Sequence, residues 1–191
     1  MKQQRGITLV EVLVSLLILG VGVLGFIGMQ MRALGGSSEA YERSQATSIA
    51  SDFVERVTSQ MSYPPKDPVT SKLYTRDKMM SYYNPANLWT PWGASEARDT
   101  TCLVGSCNLA QMAAYDIKEL RFYVSRLLPN GQARLGMCPD RVTASSPALE
   151  QNCLYVAWAD TTPTIGTAAP NCVDTNGNYV TNARCVLMRI Y

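Results

Sequence analysis

From Val12 to Met31 the chain runs for twenty residues without a charge, VLVSLLILGVGVLGFIGMQM. At a helical rise of ~1.5 Å per residue such a run gives roughly 30 Å, the thickness of a bilayer's hydrocarbon core. Lys2 and Arg5 precede the run and no acid does. Basic residues flank the cytoplasmic end of a span, so the N-terminus is expected in the cytoplasm and the remainder outside it. An ordinary secretory signal has a shorter apolar core and a small-x-small cleavage site. No A-x-A motif follows here before Ser37-Ser38. Hydropathy alone therefore favours an uncleaved anchor.

Composition narrows what the remaining chain can do. Its 191 residues are 47% hydrophobic and 17% charged, too apolar and too weakly charged for a wholly disordered protein. The sequence contains no histidine. Mechanisms and metal sites that need an imidazole are thereby excluded, among them Ser-His-Asp triads, Cys-His dyads and His-ligated zinc. With a net charge of +2 there is no large basic field to clamp a nucleic-acid backbone.

Glu11 does not suit a plain anchor. It opens the apolar run, five residues after Gly6, and an acid near the bilayer interior costs at least a few kcal/mol. A cut between Gly6 and Ile7 would expose a new α-amine at Ile7. The Glu11 carboxylate could then pair with such an amine, on its own chain or a neighbour's. A neutral pair is far less costly in lipid than a lone carboxylate.

The stretch Arg5-Gly6-Ile7-Thr8-Leu9-Val10-Glu11, with the apolar run behind it, resembles the leader of type IV pilins and pseudopilins. The resemblance implies cleavage between Gly6 and Ile7 by an inner-membrane prepilin peptidase, and methylation of Ile7 by the same enzyme. The family usually has Phe or Met where Ile7 stands, a mild departure. Glu11 matches the family's glutamate, which engages a neighbour's N-terminus as subunits join a filament. Removal of residues 1–6 takes Lys2 and Arg5 away. Of 17 basic and 15 acidic residues, 15 of each then remain, so the mature formal charge is zero. No nucleic-acid partner is expected on charge grounds.

Beyond the span, Ala46, Ile49, Ala50, Phe53, Val54, Val57 and Met61 recur at helical spacing, while Glu42, Arg43, Asp52, Glu55 and Arg56 fall mostly on other faces. This predicts one helix from about Ile7 to Met61, stopped by Tyr63-Pro64-Pro65. Gly20, Gly22, Gly25 and Gly28 lie within it, marking either local melting or close helix approach. Residues 62–101, rich in proline, tyrosine and tryptophan, read as loop whose aromatics cover a small core. Asn108 could cap a second helix from Leu109 to Leu128. Asn130-Gly131 is a turn signal. Strand patterns follow at Ala133 to Met137, Leu154 to Ala159 and Arg184 to Ile190. The expected fold is α+β and pilin-like: a long N-terminal helix, membrane-spanning then amphipathic, packed on a small antiparallel sheet with disulfide-stapled loops. The organisation is a leader at 1–6, a hydrophobic helix at 7–34, its amphipathic continuation at 35–61 and a periplasmic head at 62–191.

Cys102, Cys107, Cys138, Cys153, Cys172 and Cys185 all lie beyond the span. Six cysteines allow fifteen pairings, and sequence order favours the local set 102 with 107, 138 with 153, and 172 with 185. With no C-x-x-C the spacing is wrong for a zinc ribbon, so no metal is expected. Asp174-Thr-Asn176-Gly177-Asn178 starts like a calcium loop but lacks the closing glutamate; an Asn-Gly turn explains the same letters. Nothing marks a Ser-Lys dyad. The expectation is a protein without enzymatic activity or cofactor.

The carboxy half, with Leu127-Leu128-Pro129-Asn130-Gly131, Leu154-Tyr-Val-Ala-Trp-Ala-Asp160 and Cys185-Val-Leu-Met-Arg-Ile, is similar to PilV-type minor pilins. That resemblance implies an inner-membrane complex with other minor pilins that primes polymerisation of the major pilin and ends near the fibre tip. A tip adhesin is a further candidate partner; twitching motility and adhesion are the implied phenotypes. The implied location is the bacterial inner membrane, then the extracellular pilus fibre. Two readings stay open beside it: a minor pseudopilin of type II secretion, and an uncleaved single-span periplasmic receptor. Arg121, Arg126 and Arg134 are the candidates for a weak third, DNA capture.

Overall fold

The computed structural model describes residues 8–66, 70–83, 98–139 and 152–190. The chain divides into two compact units, Met1–Tyr41 and Glu42–Tyr191.

The first unit is helical from Leu9 onward, the start of α1 (Leu9–Ser62). Its apolar side chains are all exposed, from 41% at Ile27 to 76% at Leu9. A helix apolar on every side has no polar face to give to water and needs an apolar surrounding. The glycines between Gly20 and Gly36 do not interrupt it, and a methyl group added at any of them would meet nothing within 4 Å. In this structure all of those glycines are helical. Hydroxyls inside α1 bond back to the carbonyl of the previous turn, as with Ser15 Oγ to Glu11 O (2.7 Å) and Thr58 Oγ1 to Val54 O (2.7 Å).

In the second unit α1 changes character. Ala46, Ile49, Ala50, Phe53 and Val57 are buried on one stripe, and Val54 and Met61 pack half-buried beside them. The helix ends at Ser62, just before Pro64-Pro65, close to the expected Met61. Next comes α2 (Arg76–Tyr83), inside the stretch read from sequence as loop. Thr75 starts it, its hydroxyl accepting from Lys78 N (3.3 Å), and Met79, Met80 and Tyr83 are its buried side. Thr75 with Asp77 in the first turn was the signal for this helix; a run of eight residues is too short for periodicity to show it. Pro85, Trp89, Pro91 and Trp92 lie outside the described residues.

Asn108 caps α3 (Leu109–Leu127) through a reciprocal box: Asn108 Oδ1 accepts from Gln111 N (2.9 Å), and Gln111 Oε1 accepts from Asn108 N (3.0 Å). Asn130 then takes a left-handed φ of 51°, and Gly131 N donates to Leu128 O (3.1 Å). A Cβ at Gly131 would overlap Val124 O, so glycine at 131 is a steric requirement of the turn.

The sheet is antiparallel with order β1 (Gln132–Met137), β2 (Asn152–Ala157), β5 (Cys185–Ile190). Its registers place Ala133, Val156 and Val186 abreast, with Leu135, Leu154 and Met188 as the next row. Those rows face α1 and α3 in one core with Phe53, Val57, Leu120, Val124 and Trp158. The opposite face of central β2, Cys153, Tyr155 and Ala157, packs into a second cluster with Cys138, Cys172, Val173 and Cys185. Buried on both faces, β2 reads as continuous apolar sequence rather than alternation. Two short strands, β3 (Thr162–Ile165) and β4 (Asn171–Val173), pair in parallel beside it. They escaped the sequence reading because neither carries an alternating apolar run. The α+β arrangement is the one expected.

Candidate functional site

Two places carry chemistry. In the first unit it is Glu11. It lies in the first turn of α1, where the helix dipole favours a negative charge. Thr8 O accepts from Glu11 N (3.1 Å) and Val12 N (3.3 Å), closing that turn. Glu11 is the one ionisable residue from there to Arg32, and its carboxylate has no partner among the described residues. Its surroundings on α1, Leu9, Val10, Val12 and Leu13, are exposed and apolar. The partner therefore has to be supplied from elsewhere. Gly6 and Ile7, the expected cleavage and methylation positions, lie outside the described residues.

In the second unit three disulfides join cysteines that are consecutive along the chain. Cys102–Cys107 closes a small exposed loop ahead of α3. Cys138–Cys153 ties the end of β1 to the start of β2, and Cys172–Cys185 ties β4 to β5. The last two are fully buried in the second cluster. With all six cysteines bonded, no thiolate is left for catalysis or metal binding.

Sequence reasoning missed two buried polar networks. On the inner side of α3, Asp116 is 3% exposed. Its Oδ2 accepts from Tyr83 OH (2.7 Å) and Gln60 Nε2 (2.9 Å), and Arg56 stands 3.9 Å from Oδ1. Burial pushes the Asp116 carboxyl above its ordinary range, against the pull of these donors. The Tyr83 hydroxyl is raised likewise, by burial first and the Asp116 charge next. One turn on, Glu119 is 3% exposed and accepts from Arg98 Nε (3.0 Å). Lys118 meets Asp99 at 2.9 Å, so paired charges fix the segment before Cys102 against α3. The hydroxyl and amide of Thr101, with Lys118, hold Asp99 well below the usual carboxylate range. The signal for Asp116 and Glu119 was their place beside Ile117 and Leu120, within the apolar period of the helix.

The second network surrounds Trp158, which is wholly buried. Its Nε1 donates to Glu42 Oε2 (3.0 Å), and the Arg43 guanidinium lies 5.7 Å over its ring. Arg43 also donates to Cys185 O at the sheet edge (3.4 Å). These residues orient α1 on the sheet and are structural.

The remaining sequence candidates are accounted for locally. Asp174 Oδ1 accepts from Asn176 N and Asn178 N (2.9 Å each), and Oδ2 from Asn178 Nδ2 (3.2 Å). Those bonds, led by the Asn178 amide, hold its carboxyl below the ordinary range. Gly177 in the same turn has a φ of 86°, so the Asn-Gly turn reading fits these residues. Arg126 lies over the Phe122 ring (5.8 Å). Among the described residues no group of three metal-ligating side chains occurs.

Likeness to known families lies in the first 118 residues. Residues 1–27 match the prokaryotic N-terminal methylation motif, and residues 28–118 match the type IV pilin Tt1218 family. The chain is similar to type IV pilins. The two matches run in succession from residue 1 through both parts of α1 and into α3. The methylation motif implies processing by a prepilin peptidase and assembly with other pilins. Such proteins are structural subunits. No curated protein and no solved structure matches the chain.

Proposed function

We propose that this chain is a minor pilin: a low-copy subunit that primes type IV pilus assembly in the inner membrane and rides near the fibre tip, supporting twitching motility and adhesion. The observation that carries the reading is the lone carboxylate of Glu11 at the head of the exposed apolar part of α1, within the residues that match a methylation motif. In lipid the helix is satisfied sideways but Glu11 is not. Cleavage between Gly6 and Ile7 would create an amine, and a neighbouring subunit's Ile7 amine would neutralise the acid as the helix leaves lipid for the fibre core. The similarity of the carboxy half to PilV-type sequences supports the minor rather than the major role. The N-terminus is cytoplasmic and the head periplasmic in this reading, following Lys2 and Arg5.

The test is deletion of the gene with complementation by wild type or Glu11→Ala. Surface pili counted by electron microscopy should fall on deletion, return with wild type and return incompletely with Glu11→Ala. Normal piliation in the deletion strain would contradict a priming role. Loss of secreted enzymes with intact pili would instead favour the type II secretion pseudopilin reading.

A further inference from the structure

Where α1 ends, its last turns, the bridge between Lys66 and Leu73, α2 and the start of α3 enclose a groove of about 690 Å³. That is within the size range of small-ligand sites. Three tyrosines line it, Tyr63, Tyr74 and Tyr82, together with Gln60, Lys66 and Asn108. Tyr63 is 86% exposed, an unusual setting for a large ring that serves no core. Tyr74 and Tyr82 stand edge to face with centroids 6.4 Å apart, so their planes are nearly perpendicular, at 85°. The Lys78 ammonium lies 5.4 Å from the Tyr82 ring centroid, so that ring also meets a cation.

Among the described residues Lys66 is the charged side chain that lines the groove. The Asn108 side-chain oxygen is engaged by the helix cap, which leaves its Nδ2 as the group that can donate. Gln60 has the reverse need. Its Nε2 is held by the Asp116 carboxylate, which accepts only, so its amide orientation is fixed. Its Oε1 is buried in the wall with no donor. A buried acceptor left without a donor costs free energy that a hydroxyl could return after a small adjustment of the wall.

We propose that this groove binds carbohydrate. A pyranose has apolar C–H faces to lay on the tyrosine rings and a rim of hydroxyls. Those hydroxyls can accept from Asn108 and Lys66 and donate to Gln60. The Lys66 ammonium suits a neutral sugar or one bearing a carboxylate. The Cys102–Cys107 disulfide, whose Cys107 forms part of the lining, fixes the loop that carries Asn108. The inference is independent of the assembly reading, because it is tested on purified protein.

The experiment is a glycan array probed with the full-length chain in a detergent that carries no sugar headgroup. Wild type is compared with Tyr63→Ala, Lys66→Ala and Tyr41→Ala. Tyr63 and Lys66 are exposed, and Tyr41 lies outside the groove, so none of the three should unfold the protein. Circular dichroism and thermal melts check this. The expected result is binding to a restricted set of glycans, at least tenfold weaker for Tyr63→Ala, several-fold weaker for Lys66→Ala and unchanged for Tyr41→Ala. No glycan bound above background by wild type would overturn the proposal. So would equal binding by all four proteins, or capture of array-printed peptides in preference to glycans.

Discussion

The first and second units use the same residue types to opposite ends. Between Leu9 and Leu34 the leucines, valines and isoleucines are all exposed, while in the second unit Ile49, Phe53, Val57, Leu154 and Val156 are buried or nearly so. The glycines differ in the same way. Those of the first unit touch nothing, whereas Gly131 could not carry a side chain at all. Acids differ too: Glu11 has no partner among the described residues, while Asp116 and Glu119 are buried with several donors around them. Among its described residues the second unit buries a core and supplies donors to its buried carboxylates. The first satisfies neither its apolar surface nor its charge, which is what a subunit made to enter an assembly requires. Substitutions in the two units should therefore fail in different assays.

The largest effect on folding is expected from Trp158→Ala. It removes a buried indole, its bond to Glu42 and the face under Arg43. Such truncations cost about 3–5 kcal/mol, read as a lower midpoint in guanidinium unfolding. Replacing both Cys138 and Cys153 by serine opens a loop of sequence separation 15 and should cost about 3 kcal/mol in the same assay. A smaller loss would mean the pairing of β1 with β2 already holds that loop closed.

Asp116 gives a pH test. Its folded pKa lies above the unfolded value, so the folded state binds the proton more tightly. Its stabilising contribution is full below the ordinary carboxylate range and is lost as pH rises through the raised folded value. Asp116→Asn keeps an acceptor for Tyr83 and Gln60 without the charge. The variant should show a flatter decline in unfolding midpoint from acid towards neutral pH than wild type. Asp99 and Asp174, with lowered values, act in the opposite direction in both proteins and cancel from the difference.

The smallest effect on folding should come from Leu16→Ala in the first unit. With its side chain 62% exposed it has no core to leave, so the midpoint should move by less than ~0.5 kcal/mol. Yet piliation should suffer if that helix packs against neighbours in a fibre. A large drop in stability from this variant would erase the contrast between the units.

How much of this the sequence disclosed follows from range. The span, the Glu11 position, the stripe from Ala46 to Met61 and the Asn108 cap are patterns of near neighbours, and they can be read directly. The three strands were found because β-rich runs are local as well. What stayed hidden depends on contacts across the chain. Asp116 meets Gln60 and Tyr83 from elements 56 and 33 residues away, and Trp158 meets Glu42 across 116. The helix α2 was hidden by proline- and tyrosine-rich flanks that read as loop. The tyrosines around the groove were legible as a cluster in composition, but only the fold sets Tyr63, Tyr74 and Tyr82 around Gln60 and Asn108.

Whether Glu11 ever finds its amine rests on a single covalent event at the front of the chain. Intact mass spectrometry of protein purified from its own cells decides it. The expected species lacks residues 1–6 and carries one added methyl group on Ile7. A functional protein that still begins at Met1 would contradict the account.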